Sequence, residues 1–136
     1  QAMLDQCPED MATLFCSNRF PAGLEPFDVI LMNWTLHFIK DKKGYLGDLY
    51  ANLKRNGILV LSEKVSTDPY PTAFYHDFKR ARGATDQEIA RKAKSLESIM
   101  FIDDVRWYLD TLSGMGFQKV FVINAHCCFA TFLCIK

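Results

Sequence analysis

The residues best placed to do chemistry are polar groups at the ends of apolar runs. Asn33 and Trp34 follow directly on Val29-Ile30-Leu31-Met32, and Thr35 and His37 come next. A run apolar on both faces has the pattern of a central parallel strand. Open α/β sheets bind ligands outside the carboxyl ends of such strands, where an asparagine amide offers a donor and an acceptor together. A second group mixes aromatic and cationic side chains: Tyr75, His76, Lys79 and Arg80, with Lys92 further along. Such a set can orient an anionic acceptor, and a solvated helix face accounts for the same pattern. No general base stands out, so no residue is assigned a catalytic role.

Composition narrows the classes. The 136 residues carry 16 basic and 16 acidic side chains, so no net field draws the chain to nucleic acid or to an anionic membrane. Direct nucleic-acid binding is therefore not expected. The apolar runs are far too short to span a bilayer. Cys7, Cys16, Cys127, Cys128 and Cys134 form no CxxC pair. They read as reduced thiols of a cytoplasmic protein, with neither a metal site nor a disulfide framework.

The elements that must position these groups can be placed along the chain. Ala2, Met3 and Leu4 sit on a short helical piece, and residues 11–16 read as a short buried strand. After the central run, residues 41–54 read as a helix, because Leu46, Leu49, Tyr50 and Leu53 form one apolar stripe. Asn56-Gly57 supplies its left-handed stop. Residues 58–61 form another apolar strand, and so short a strand–helix–strand unit is a parallel, right-handed crossover. Residues 72–82 form a helix stopped by Gly83. Thr85 and Glu88 make a capping box for a helix with Ile89, Ala93, Leu96 and Met100 on one face. Asp103-Asp104 start a further helix with Val105, Tyr108, Leu109 and Leu112 inward. Residues 118–124 and 127–135, separated by Ala125-His126, are an antiparallel pair. No linker or repeat divides residues 1–136, so they read as one domain. The predicted class is α/β, with parallel strands first and an antiparallel pair last.

Several stretches carry a resemblance. Asn33-Trp34-Thr35-Leu36-His37-Phe38, Gly57-Ile58-Leu59-Val60-Leu61-Ser62-Glu63-Lys64 and Phe78-Lys79-Arg80-Ala81-Arg82-Gly83, then Glu88-Ile89 and Leu96-Glu97, are similar to the carboxy-S-adenosylmethionine synthase family. These are enzymes of class I S-adenosylmethionine-dependent methyltransferase fold linked to modification of the wobble uridine of transfer RNA. The resemblance implies a Rossmann-like sheet, mostly parallel with an antiparallel C-terminal strand pair, of which this chain is the C-terminal two-thirds. The N-terminal strands and the glycine-rich loop are missing, and the sequence is read as a truncation or as part of a longer protein.

The resemblance also implies roles. The ligand is S-adenosylmethionine or its carboxylated derivative, contacted by Asn18, Arg19, Asn33, Trp34 and His37. Asn18 stands where the family has an acidic acceptor for the adenine amino group. His37 is either a ligand contact or a packed histidine at a helix start. Tyr75, His76, Arg80 and Lys92 form the substrate side. Ala93 stands where the synthases present an arginine to the added carboxylate, which leaves Lys92 or Lys94 as a point charge or points to use of plain S-adenosylmethionine. The expected partner is a second copy, since residues 29–32 would otherwise expose an apolar edge. The competing expectation is a non-catalytic module that associates through the helix at residues 72–82.

Overall fold

A computed structural model of the chain describes residues 6–8, 12–17, 20–21 and 23–136. The element order is β1 (Phe27–Asn33), a 3₁₀ turn (Leu36–Phe38), α1 (Lys42–Ala51), β2 (Leu53–Lys64), α2 (Pro69–Ala81), α3 (Asp86–Glu97), α4 (Val105–Gly114), β3 (Lys119–His126) and β4 (Phe129–Ile135). The four strands form one sheet in the order β1-β2-β4-β3. β1 and β2 are parallel, and β4 is antiparallel to both β2 and β3. The expected α/β class, with parallel strands first and an antiparallel pair last, is what the sheet shows.

Side-chain alternation decides which face is buried. Ile30 and Met32 of β1, Leu59 and Leu61 of β2, and Ala130, Phe132 and Cys134 of β4 point to one face. There they join Leu46 and Leu49 of α1 and Tyr108 and Leu112 of α4 in a single core. Truncating one of these fully buried leucines to alanine costs about 2–5 kcal/mol. The opposite face carries Val29 and Leu31 of β1 and Phe121 of β3, all exposed, with Val60 and Leu133 half-buried between them. Register aligns Leu31, Val60, Leu133 and Phe121 in one row across the sheet. Among the described residues no strand pairs with the outer edge of β1.

The local boundaries depart from expectation in several places. Residues 12–16 are not a strand: they have no ladder partner, and Leu14 and Phe15 are exposed. A short apolar run takes the strand state only where a neighbour accepts its backbone bonds. Residues 1–5 and Met11 lie outside the described residues. α1 ends at Ala51, with Asn52 as its cap, and β2 has already begun at Leu53. Lys54 and Arg55 therefore belong to a bulge, in which the ladder jumps from Phe27–Leu53 to Val29–Ile58. Asn56, at φ +62°, makes the left-handed step. Gly57 follows because a Cβ there would stand 2.8 Å from the Lys54 carbonyl oxygen. This bulge is anchored from the last strand by backbone bonds from Asn56 to Lys136 (2.9 Å) and from Lys136 to Gly57 (3.0 Å).

α2 begins earlier than expected, at Pro69, capped by Asp68, and Gly83 stops it at φ +90°. α3 carries the expected capping box, with Thr85 and Glu88 bonded reciprocally. Of its apolar face Ile89 is buried, Leu96 is half-buried and Ala93 is exposed, whereas Met100, expected on the same face, lies past the helix end at Glu97. The hairpin turn is Cys127-Cys128, with Cys127 at φ +52°, and Ala125-His126 belong to β3. Cys128 and Cys134 are buried, and burial pushes the Cys134 thiol up to about 12.

Candidate functional site

The site grows from the carboxyl ends of β1 and β2, which point the same way because the strands are parallel. Asn33 is the last residue of β1, lies opposite Ser62 in the ladder and is exposed. The chain then turns sharply. Trp34 adopts φ +53°, a left-handed conformation uncommon for a large side chain, and its N–H donates to the Ser62 carbonyl at 2.7 Å. The indole is 63% exposed and packs 5.8 Å from the Phe129 ring at the start of β4. Phe129 in turn meets Tyr75 of α2 edge-on at 5.2 Å. Trp34, Phe129 and Tyr75 thus form an aromatic row across the ends of β1 and β4 to α2.

The loop after β1 is held from beneath by Glu63. This carboxylate is fully buried. Oε1 accepts from the backbone N–H of Thr35 (2.9 Å) and Leu36 (2.7 Å). Oε2 accepts from the His37 N–H (3.2 Å) and lies 2.5 Å from His37 Nδ1. Three consecutive N–H groups at a helix start form a cradle that elsewhere binds phosphate. Here an internal carboxylate already fills it, so this turn holds no phosphate group of a ligand. The His37 ring is buried against Glu63, the packed alternative expected for it. Beyond Glu63 stands Tyr108. Burial, then the charges of Glu63 and Asp103, hold its phenol well above the ordinary range. Its hydroxyl is buried without a hydrogen-bond partner among the described residues. Lys42, buried beside it, pairs with Asp103 and lies 5.3 Å from the centre of the Trp107 ring.

A cavity of about 250 Å³ opens at the end of β2. Lys64 and Cys128 come from the strand end and the hairpin turn, Tyr75, His76 and Lys79 from α2, and Lys92, Ala93 and Leu96 from α3. Lys64, Lys79 and Lys92 give it a cationic wall, which His76 also lines. Burial, and then repulsion from Lys64 and from Lys92, lower the Lys79 pKa from its ordinary value. Its ammonium lies 4.2 Å from the centre of the Tyr75 ring. Burial raises the Tyr75 pKa, so the phenol stays protonated at neutral pH and able to donate a hydrogen bond.

The fold places Tyr75, His76, Lys79 and Lys92 of the aromatic and basic set around one cavity and adds Lys64. It leaves out Arg80, whose guanidinium turns to Asp77 and Asp86 on the exposed side of α2 and α3. Asn18 and Arg19 lie outside the described residues. Glu63 was missed as a site residue. Its signal was parity: Leu59, Leu61 and Glu63 alternate toward the buried face, and a buried carboxylate needs a specific set of donors. Among the described residues no group of His, Cys, Asp or Glu could hold a metal ion, and no helix is long and apolar enough to cross a membrane.

Comparison with known proteins gives a consistent picture. The chain is 31% identical to the carboxy-S-adenosyl-L-methionine synthase of Hahella chejuensis, over 99% of this chain and 60% of that one. It is 32% identical to the synthase of the same name from Chromohalobacter salexigens, over 97% of this chain and 52% of that one. The chain therefore spans about half to three-fifths of these relatives. No family model matches it. Among solved structures it is similar to an O-methyltransferase family protein from Burkholderia thailandensis (TM-score 0.56, 13% identity, 82% of this chain and 31% of that one). It is also similar to the CurJ carbon methyltransferase (TM-score 0.53, 19% identity, 82% and 30%). The chain thus resembles carboxy-S-adenosyl-L-methionine synthases in sequence and carries part of a methyltransferase fold.

Proposed function

We propose that this chain is the ligand-binding carboxyl-terminal part of an enzyme that uses S-adenosylmethionine or its carboxylated derivative, of the carboxy-S-adenosylmethionine synthase kind. A cytoplasmic role linked to modification of the transfer RNA wobble uridine goes with that reading, with direct RNA contact left to another protein. One observation carries the proposal: an exposed asparagine–tryptophan strand end and a cationic cavity open at the same end of the parallel pair, joined by the aromatic row Trp34–Phe129–Tyr75.

In this reading Asn33 and Trp34 contact the cofactor, joined by Asn18 and Arg19, and His37 contributes through Glu63. Tyr75, His76 and Lys92, with Lys64 and Lys79, hold an anionic substrate. Arg80 plays a supporting part through its pairing of α2 to the start of α3. When bound, the sulfonium cofactor supplies an already activated carbon. The residues of this chain align the two reactants and surround them with charge, which is the main task in such chemistry. Lys64, Lys79 and Lys92 repel one another until an anion neutralises them, so an anionic substrate binds with a gain that a neutral one lacks.

The test is a titration of the full-length protein that contains this chain with S-adenosylmethionine, followed by mass analysis of the cofactor after incubation with candidate carboxylate donors. Saturable binding and a carboxylated product support the proposal; absence of both rejects it.

A second reading, a non-catalytic module, is favoured by one specific feature. Tyr70, Phe74 and Phe78 of α2 are exposed, and the last two line an open groove with Ala125, His126 and Cys127. The uncovered apolar face of the sheet supports self-association in either reading, and a homodimer is proposed with it.

A further inference from the structure

We infer that Glu63 is the positioning residue of the ligand loop: its buried carboxylate fixes residues 33–37 so that Asn33 and Trp34 present their side chains to the ligand. The inference rests on the proposed function for what the loop binds, and on the geometry alone for how the loop is held.

A fully buried carboxylate is expensive to desolvate unless donors surround it. Glu63 has four, and all belong to one short segment: the N–H groups of Thr35, Leu36 and His37, and Nδ1 of His37. The carboxylate is thus spent on the loop. Ser62, its neighbour in β2, takes the remaining N–H in the series, from Trp34. Two adjacent residues of β2 therefore hold four consecutive residues of the loop.

That grip coincides with strain. Trp34 is left-handed, and such strained conformations persist only where the surroundings over-determine them. The first donor to Glu63 is the residue directly after Trp34. Release of the carboxylate would let the chain relax, and the indole would leave Phe129. Glu63 itself is fully buried and cannot touch a ligand. It acts through the loop.

Amide chemistry makes the test selective. In Glu63→Gln the –NH₂ group that replaces one oxygen faces a donor it cannot accept from, so at least one loop N–H loses its partner. His37→Gln keeps a side-chain N–H for Glu63, whereas His37→Leu removes it. Each variant is made in a Trp107→Phe background, which leaves Trp34 as the one tryptophan of these 136 residues. Cooperative unfolding establishes that a variant is folded. Acrylamide quenching of Trp34 then reads loop order without ligand, and titration with S-adenosylmethionine reads its consequence.

The expected result is a folded Glu63→Gln whose indole is more readily quenched and whose affinity is about tenfold weaker, the loss of one buried polar partner. His37→Gln should keep the parent's quenching and His37→Leu should not. A folded Glu63→Gln with the parent's quenching overturns the inference. If Glu63→Gln does not fold, the two His37 variants decide, and equal quenching in both overturns it. A parent that binds no S-adenosylmethionine, with quenching that still follows the expected order, upholds the positioning role and rejects the cofactor reading instead.

Discussion

The Lys79 ammonium lies 4.2 Å from the centre of the Tyr75 ring while two further lysines, Lys64 and Lys92, line the same cavity. Burial, followed by those like charges, lowers the Lys79 pKa. The sign is fixed. A lysine with a depressed folded-state pKa costs stability while it is charged, and that cost is relieved as pH rises through the folded pKa. A bound anion reverses the shift. Affinity for an anionic substrate should therefore be full below the free-state pKa of Lys79 and fall as pH rises through it, starting below the ordinary lysine range. Lys79→Arg, which stays protonated, should flatten that fall. Titration with candidate carboxylate substrates across neutral to alkaline pH checks this, and a pH-independent affinity in the parent contradicts it.

In the full-length protein Asn33→Ala should weaken S-adenosylmethionine binding by about 1–3 kcal/mol, the usual size for a lost polar partner in a desolvated site. Asn33 is exposed at a strand end and has no core contact to lose, so the unfolding temperature should hold. Calorimetric titration with parallel melting curves is the measurement. Unchanged affinity takes Asn33 out of the site.

Ala93 lines the cavity, and the family resemblance implies an arginine at this position, which can meet a carboxylate with two parallel hydrogen bonds. The chain as it stands should show no strong preference for a carboxylated cofactor over S-adenosylmethionine. Ala93→Arg should create one. Competition binding of the two ligands to both proteins measures the change. A hundredfold preference in the parent would assign the carboxylate to Lys92 or another cation of the cavity wall.

Leu31 is 67% exposed on a strand whose outer edge has no ladder partner among the described residues. An open edge this apolar recruits another strand. The 136-residue chain should self-associate in a concentration-dependent way, and Leu31→Lys should shift it toward monomer with little change in the buried face. Light scattering over a dilution series reads both. A monomer at every concentration removes the edge as an interface.

Tyr108 carries a buried hydroxyl without a partner among the described residues, between the stacked Phe132 ring and the Glu63 region. An unsatisfied hydroxyl costs about 1–3 kcal/mol, so Tyr108→Phe should leave the core packed and raise stability by roughly 1 kcal/mol. Denaturant melts of the two proteins decide it. A loss of stability would point to a water or side chain that satisfies the hydroxyl in solution.

Some of this protein is written in local pattern. The apolar runs at residues 29–32 and 58–61 read as strands, although the first, read as central, stands at the edge of the described sheet with one face exposed, and only the second is paired on both sides. The stripe Leu46–Leu49–Tyr50 and the Thr85–Glu88 box read as helix signals because period and capping act within a few residues, whereas Leu53, read into the same stripe, opens β2. The motif after β1 and the strand end Ser62-Glu63-Lys64 were legible as a resemblance, and the cavity residues Tyr75, His76 and Lys92 as an aromatic and basic set.

Tertiary structure decided the rest. Residues 12–16 have strand composition but no ladder partner, and backbone pairing is not a property of a segment alone. Lys54 and Arg55 look like a helix end, yet Lys136, more than 80 positions away, fixes them into a bulge. Arg80 and Lys79 are adjacent and chemically alike in sequence. Helical geometry turns one to Asp77 and Asp86 and the other into the cavity. Glu63 follows two leucines on the buried face, and what a carboxylate does there depends on which N–H groups the fold delivers to it. Periodicity gives the face a residue occupies, and only the packing of distant segments supplies its partners.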